Sequence, residues 1–144
     1  MTTKAIAIAS SFCIFNIILH SPAIASLPFP EGQFFDNQNQ RPTWHLTLLK
    51  RNNTYYFHNL DLKTNQKFCL VRAVVSGTKN RPVFSWRDGT KTYRVAWQPS
   101  EPDVIRLQIT NSSGKLIMNQ LLNRQPGEFA EPEELRCAGK IIRT

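Results

Sequence analysis

The sequence predicts an all-β protein: a small antiparallel meander of about eight strands that forms a barrel or a sandwich and carries one disulfide. Short runs of alternating polar and apolar residues recur at near-regular spacing along the chain. Turn residues such as Asn52-Asn53 and Asp88-Gly89 separate these runs. No long stretch of the sequence has the period of a helix.

The N-terminus has the pattern of a secretory signal peptide over residues 1–25. Lys4 gives a positive start, an apolar run covers 5–19, and Ala23-Ile24-Ala25 is a small-x-small cleavage site. An anchoring helix is the alternative, but the run is too short and Pro22 interrupts it. We therefore expect export to the periplasm or the extracellular space, with no transmembrane segment left after cleavage.

Residues 26–42 are polar and broken by Pro28, Pro30 and Gly32, so we expect a flexible leader there. A single β domain should follow over 43–144. Its size is close to the lower limit for a closed barrel of eight strands.

The first predicted hairpin pairs Thr43–Lys50 with Thr54–Leu60 and places Leu48 opposite Phe57. The stretch Lys67–Val75 comes next and is apolar on both of its faces, which predicts a strand in the middle of a sheet.

The second predicted hairpin turns at Asp88-Gly89 and places Trp86 opposite Lys91. In the third, a turn near Asn111 places Leu116 opposite Ile109. A last strand is expected over Leu135–Ile142, after a possible helical turn at Glu131–Glu134.

Two cysteines remain after signal cleavage, Cys69 and Cys137. In an exported protein such an even pair is usually oxidised, so we predict a disulfide between them. It would close a loop of about 70 residues and stabilise the fold by roughly 4 kcal/mol. A redox or metal-binding thiol pair is the alternative, but the sequence has no Cys-x-x-Cys spacing.

The positive charge is concentrated in the first half of the domain. The chain has a formal net charge of +8, and between Arg41 and Arg94 the only acids are Asp61 and Asp88. A basic face could simply keep the protein in solution. It could also contact an anionic lipid, glycan or cell-wall polymer, whereas nucleic acid is not expected outside the cell. The residues predicted to make this contact are Arg51, Arg72, Arg81, Arg87, Lys91 and Arg94.

No enzymatic constellation emerges from the sequence. There is no Gly-x-Ser-x-Gly nucleophile motif, no phosphate-cradling glycine loop and no convincing pair of catalytic carboxylates. His45 and His58 fall on one face of the first hairpin but lack an evident third ligand, so we predict no metal and no cofactor.

The aromatic residues of the second hairpin suggest a different function. Most should be core, but Trp86, Tyr93 and Trp97 could line a pocket if the barrel is open at one end. The alternatives to a binding module are therefore a lipocalin-like or avidin-like carrier of a small molecule, and an inhibitor of a secreted enzyme.

The segment Tyr93–Pro102, followed by Ile105-Arg106, resembles a pattern in small exported cyanobacterial proteins of no assigned function. The resemblance implies a bacterial exported protein and implies no activity. The sequence thus predicts an exported β-domain binding protein whose basic face contacts an anionic surface or polymer.

Overall fold

A computed structural model of the chain describes residues 27–36, 42–127, 134–137 and 140–143. The predicted signal peptide and the possible helical turn, apart from Glu134, lie outside these ranges. Within them, the chain forms strands and turns, and no helix is long and apolar enough to cross a membrane.

The all-β prediction is confirmed. Nine strands form one antiparallel sheet in the order β4-β3-β2-β1-β9-β8-β7-β6-β5, and two more form a separate ribbon. The strands are β1 (Gly32–Phe35), β2 (Trp44–Arg51), β3 (Thr54–Asp61), β4 (Gln66–Val71), β5 (Val74–Thr78), β6 (Arg81–Asp88), β7 (Lys91–Trp97), β8 (Val104–Asn111), β9 (Leu116–Arg124), β10 (Glu134–Cys137) and β11 (Lys140–Arg143).

The sheet is a meander that curls into a half-barrel. Neighbouring strands are consecutive in the chain except where β1 pairs with β9. The two edge strands, β4 and β5, are joined by only Arg72 and Ala73. Because this link is so short, the curled sheet brings its own edges together at one corner. Arg72 makes the corner with a positive φ of 64°, which places its backbone in the left-handed region.

The structure corrects the predicted leader. Part of it forms β1, which pairs with both β2 and β9 and so joins the two halves of the sheet. The buried Asp36 follows β1, and its Oδ1 accepts hydrogen bonds from the backbone nitrogens of Thr43 (2.6 Å) and Trp44 (2.7 Å). This carboxylate therefore ties the end of β1 to the start of β2.

The stretch Lys67–Val75 is not the central strand that we predicted. It bends at Arg72 and contributes to both edge strands instead. This stretch is apolar on both faces because each face packs against a different hydrophobic cluster. Phe68 and Leu70 pack on the core, while Cys69 and Val71 lie in a second cluster with Cys137 on the opposite side of the sheet.

The first hairpin has the predicted register, with Leu48 opposite Phe57. The other two hairpins are shifted by two residues. Trp86 lies opposite Tyr93 rather than Lys91, because the turn is made by Gly89-Thr90 and not by Asp88-Gly89. Ile109 lies opposite Met118 rather than Leu116, because the pairing slips between Ile109 and Thr110. A shift of two residues preserves which side chains face inward.

The interior of the half-barrel is filled with apolar side chains. Fully buried residues from both halves of the sheet meet there, and aromatic rings make up much of the contact: Phe57 lies 5.3 Å from Trp86 and 5.2 Å from Tyr93 between ring centroids. Such offset, tilted pairs stabilise the core beyond the area that they bury.

The predicted Cys69–Cys137 disulfide is present, with the two Cα atoms 4.8 Å apart. It fastens β10 to β4 on the outer side of the sheet. Leu49 and Cys137 are buried in this cluster, and Tyr56 and Val71 pack against them. The ribbon therefore covers the outer face of β2–β4.

Candidate anion-binding face

The outer side of strands β5–β9 is the candidate functional site. Along β6, β7 and β8 the buried residues alternate with outward-facing ones, as in a sheet with one face on the core. Four arginines occupy outward positions, and we call this side of the sheet the arginine face: Arg81, Arg87, Arg94 and Arg106.

Strand register arranges three of these arginines on a diagonal. Arg87 is paired with Thr92, Arg94 with both Ser85 and Gln108, and Arg106 with Ala96. Each step along the diagonal moves one strand across and two residues along. From ordinary sheet spacings this corresponds to roughly 8 Å between successive Cα atoms. Their side chains therefore form a line across the face.

The strand positions that form the arginine face carry no negative charge. None of the side chains that the described strands β5–β9 direct outward is a carboxylate. The nearest acids in sequence are Asp88, which ends β6 and is paired with Lys91, and Glu101 and Asp103, which lie in the loop before β8. The two ion pairs found in the described part of the chain join Arg51 to Glu31 and Arg124 to Asp103, and both lie away from this face.

Two shallow cavities lie at opposite ends of the arginine face. The first measures about 170 Å³, and Arg81, Arg106, Glu101 and Leu121 are among the residues that line it. The second measures about 340 Å³ and combines Arg87 with the hydroxyl groups of Thr92 and Thr110. Arg94 lies between them in the pairing register. The arrangement can hold negatively charged groups at several points along one surface.

The six basic residues predicted to contact an anionic partner do not all lie on one face of the protein. Arg81, Arg87 and Arg94 are together on the arginine face, and Lys91 is exposed at its rim, next to the turn after Asp88. The other two lie elsewhere. Arg72 is exposed at the corner between β4 and β5, and Arg51 is at the end of β2.

Arg51 is held by neighbours of its own. Its Nη1 lies 3.2 Å from Glu31 Oε1 and also donates to the carbonyl of Lys50 at 2.5 Å. An arginine committed to these partners is a poor candidate for an external anion.

Arg106 is a member of the face that charge counting missed. The signs of the charges balance from Glu101 onward, so no excess pointed to this residue. The sequence pattern that could have identified Arg106 is the polar–apolar alternation of β8, which directs Arg106, Gln108 and Thr110 outward. Its Nη1 donates to Asn119 Oδ1 at 3.0 Å on the neighbouring strand, and this bond holds the guanidinium on the face.

The two histidines lie on the other half of the sheet. His45 stacks on Phe35 with 4.4 Å between ring centroids, and His58 is paired with Thr47 and Cys69. Burial lowers the pKa of both rings, and the positive charges of His45 and Lys67 lower that of His58 further. In the described residues no three metal-ligating side chains come together.

The three predicted pocket residues are packed inside the half-barrel. Trp86, Tyr93 and Trp97 all belong to the buried core cluster. The Trp97 indole Nε1 donates to the carbonyl of Pro102 at 3.3 Å, and burial raises the pKa of the Tyr93 phenol. Trp86 and Tyr93 thus lie in the core, whereas Trp97 lies in the core and also lines the first cavity beside Arg81 and Arg106.

Comparison with known proteins gives no match: no family model, no curated protein and no solved structure is similar enough to count as a relative.

Proposed function

We propose that this protein is an exported binding module that docks on an anionic partner through the arginine face. The observation that carries the proposal is the composition of that face. It presents Arg81, Arg87, Arg94 and Arg106 together, and none of the outward-facing positions of the described strands β5–β9 carries a carboxylate.

Arginine suits this function because of its geometry. The guanidinium is planar and stays charged at any physiological pH, and it presents its donors as a fork that matches phosphate and carboxylate oxygens. A surface with one sign of charge also raises the local concentration of an oppositely charged partner and speeds its association. A row of arginines is better suited to an extended anion than to a single small one.

Two further features favour an exported protein, and export would bring the arginine face into contact with anionic surfaces. The disulfide between Cys69 and Cys137 is typical of proteins that mature in an oxidising compartment, and residues 1–25 have the pattern of a signal peptide. Outside the cytoplasm, anionic lipids, glycans and cell-wall polymers supply the negative charge that such a face would contact.

A titration with short-chain polyphosphate tests the proposal, since this probe carries repeated negative charge without a sequence or a specific shape. Wild-type protein should bind it, and the affinity should fall as salt rises from about 50 to about 200 mM. Arg94→Gln and Arg106→Gln should each weaken binding about fivefold, which corresponds to roughly 1 kcal/mol per charge.

Lys63→Gln is the matched control. It removes the same charge from the exposed turn between β3 and β4, on the other half of the sheet. Binding that is insensitive to salt, or that weakens as much in Lys63→Gln as in Arg106→Gln, would contradict a function of the arginine face.

A further inference from the structure

The arginine face also carries most of the exposed large apolar side chains in the described part of the chain. Val74 is 70% exposed, Ile117 is 55%, Leu121 is 50% and Leu116 is 48%. The remaining one, Leu62, lies in the turn between β3 and β4.

Strand register places these side chains beside the arginines. Leu121 is paired directly with Arg106 across β8 and β9, and Leu116 is paired with Thr110. Ile117 has no partner on β8 because the register slips there, so it protrudes as a bulge. Positive charge and exposed aliphatic surface are therefore interleaved on one side of the sheet.

The combination of arginines and exposed aliphatic side chains favours some anionic partners over others. The described strands β5–β9 direct no aromatic ring outward, whereas proteins that bind single-stranded nucleic acids stack bases on aromatic side chains. A soluble polyanion would satisfy the arginines but would leave Leu121 and Ile117 in water. A bilayer surface offers both phosphates and an apolar boundary just beneath them.

We propose that the arginine face docks on a bilayer containing anionic lipid, an inference that rests on the proposed function and specifies its partner. The cavity of about 170 Å³ is the seat for a lipid headgroup. Arg81 and Arg106 bind the phosphate there, and Leu121 on the cavity wall enters the boundary between headgroups and acyl chains. Ile117 lies further along β9, close to Thr110 of the second cavity, and enters the same boundary there. Glu101 lies at the first cavity and limits its positive charge.

Co-sedimentation with vesicles tests this directly. The full chain is mixed with vesicles of phosphatidylcholine alone and with vesicles that also contain phosphatidylglycerol, and bound protein is measured in each. The N-terminal apolar segment, with its Lys4, is common to the wild type and every variant, so differences between variants on the same vesicles report on the arginine face. Short-chain polyphosphate serves as the soluble anion in parallel.

The wild-type protein should prefer the anionic vesicles. Arg106→Gln should lower this preference about fivefold. The double variant Ile117→Gln/Leu121→Gln should lower binding to anionic vesicles at least about fivefold, because its apolar side chains no longer leave water. The same double variant should bind polyphosphate as the wild type does, and Leu62→Gln should behave as the wild type in both assays.

The outcomes separate the two proposals. If polyphosphate binds through the arginines but anionic vesicles bind no better than neutral ones, the bilayer proposal fails and the anion-binding function stands. If neither probe binds, both proposals fail. If the double variant binds anionic vesicles as well as the wild type does, the apolar side chains are not part of the contact, and the partner is a soluble or polymeric anion.

Discussion

The indole nitrogen of Trp86 donates a hydrogen bond to the backbone carbonyl of Tyr55 at 3.1 Å, across the interior of the half-barrel. Trp86 lies on β6 and Tyr55 on β3, strands that are well separated in the order of the sheet. The bond connects the two halves of the curl, and Trp86 itself is completely buried. This bond and the aromatic rings packed around Trp86 join the two halves of the sheet through the core.

Replacing Trp86 with Phe should destabilise the protein by about 2–3 kcal/mol. The substitution leaves the part-buried Tyr55 carbonyl without its donor and opens a cavity beside Phe57. Urea denaturation measures the loss. Trp97→Phe is the matched control and should cost less, since its acceptor, the carbonyl of Pro102, lies in an exposed loop where water can replace the indole. Equal losses in the two variants would show that the cross-interior bond contributes nothing specific.

Breaking the disulfide should lower the free energy of unfolding by about 4 kcal/mol, because Cys69 and Cys137 are 68 residues apart and their bond limits the unfolded chain. Denaturation with and without reductant provides the measurement. A Cys69→Ala/Cys137→Ala variant is the control, since reductant should have no effect on it. A reductant effect of the same size in that variant would contradict this account.

Stability should fall as the pH drops from about 7.5 to about 5.5. The pKa of His45 and of His58 lies below the ordinary value of 6.5 in the folded protein, mainly because both rings are partly buried. The unfolded chain therefore takes up protons first as the pH falls, and the equilibrium shifts toward it. Thermal melting across this range should show the loss.

The variant His45→Gln/His58→Gln separates this effect from any general cost of substitution. Its melting temperature at about pH 7.5 gives that cost, and the further change on acidification should be much smaller than in the wild type. The same acid dependence in both proteins would mean that other groups titrate in this range.

Neutralising Glu101 should strengthen anion binding. Its carboxylate lines the same cavity as Arg81 and Arg106, so Glu101→Gln removes an opposing charge from the site. The gain for polyphosphate should be roughly two- to fivefold at low salt, in the range of exposed charge interactions, and should shrink at high salt. Titration calorimetry at both salt levels measures it. A loss of affinity would indicate that Glu101 helps to hold the partner.

Much of the fold could be predicted because the alternation of single strands is a local property. The pairing of Leu48 with Phe57 was identified from the pattern alone, and so was the placement of most aromatic residues of the second hairpin in the core. The prediction of a turn at Asn52-Asn53 is confirmed, and it too depends on local sequence. Both residues have the positive φ that a tight hairpin requires.

The errors occurred where long-range packing decides the outcome. Lys67–Val75 resembles a central strand because β4 is covered on its outer side by a ribbon more than 60 residues later in the chain, which no local pattern reveals. The slip near Ile117 could not be seen either, because a bulge has little sequence signature. As a result Leu116 was expected opposite Ile109, and it is instead paired with Thr110 and exposed on the arginine face.

The candidate site was predicted in part. Arg81, Arg87 and Arg94 were found from the uneven distribution of charge, but this counting also included Arg51, which is engaged with Glu31. Strand order was the missing information. The order of the strands places Arg106 next to Arg94, although Arg106 comes from a part of the sequence where the charges balance. It also places Leu121 beside these two arginines.

The most direct test of the central claim is an NMR titration that follows the Nε–Hε signals of the arginine side chains as polyphosphate is added. The arginine face should respond first and most, with shifts at Arg81, Arg87, Arg94 and Arg106. The signals of Arg51 and Arg124, which are paired with Glu31 and Asp103, should move little. Shifts confined to those two residues, or equal shifts at every arginine, would contradict a binding site on the outer face of β5–β9.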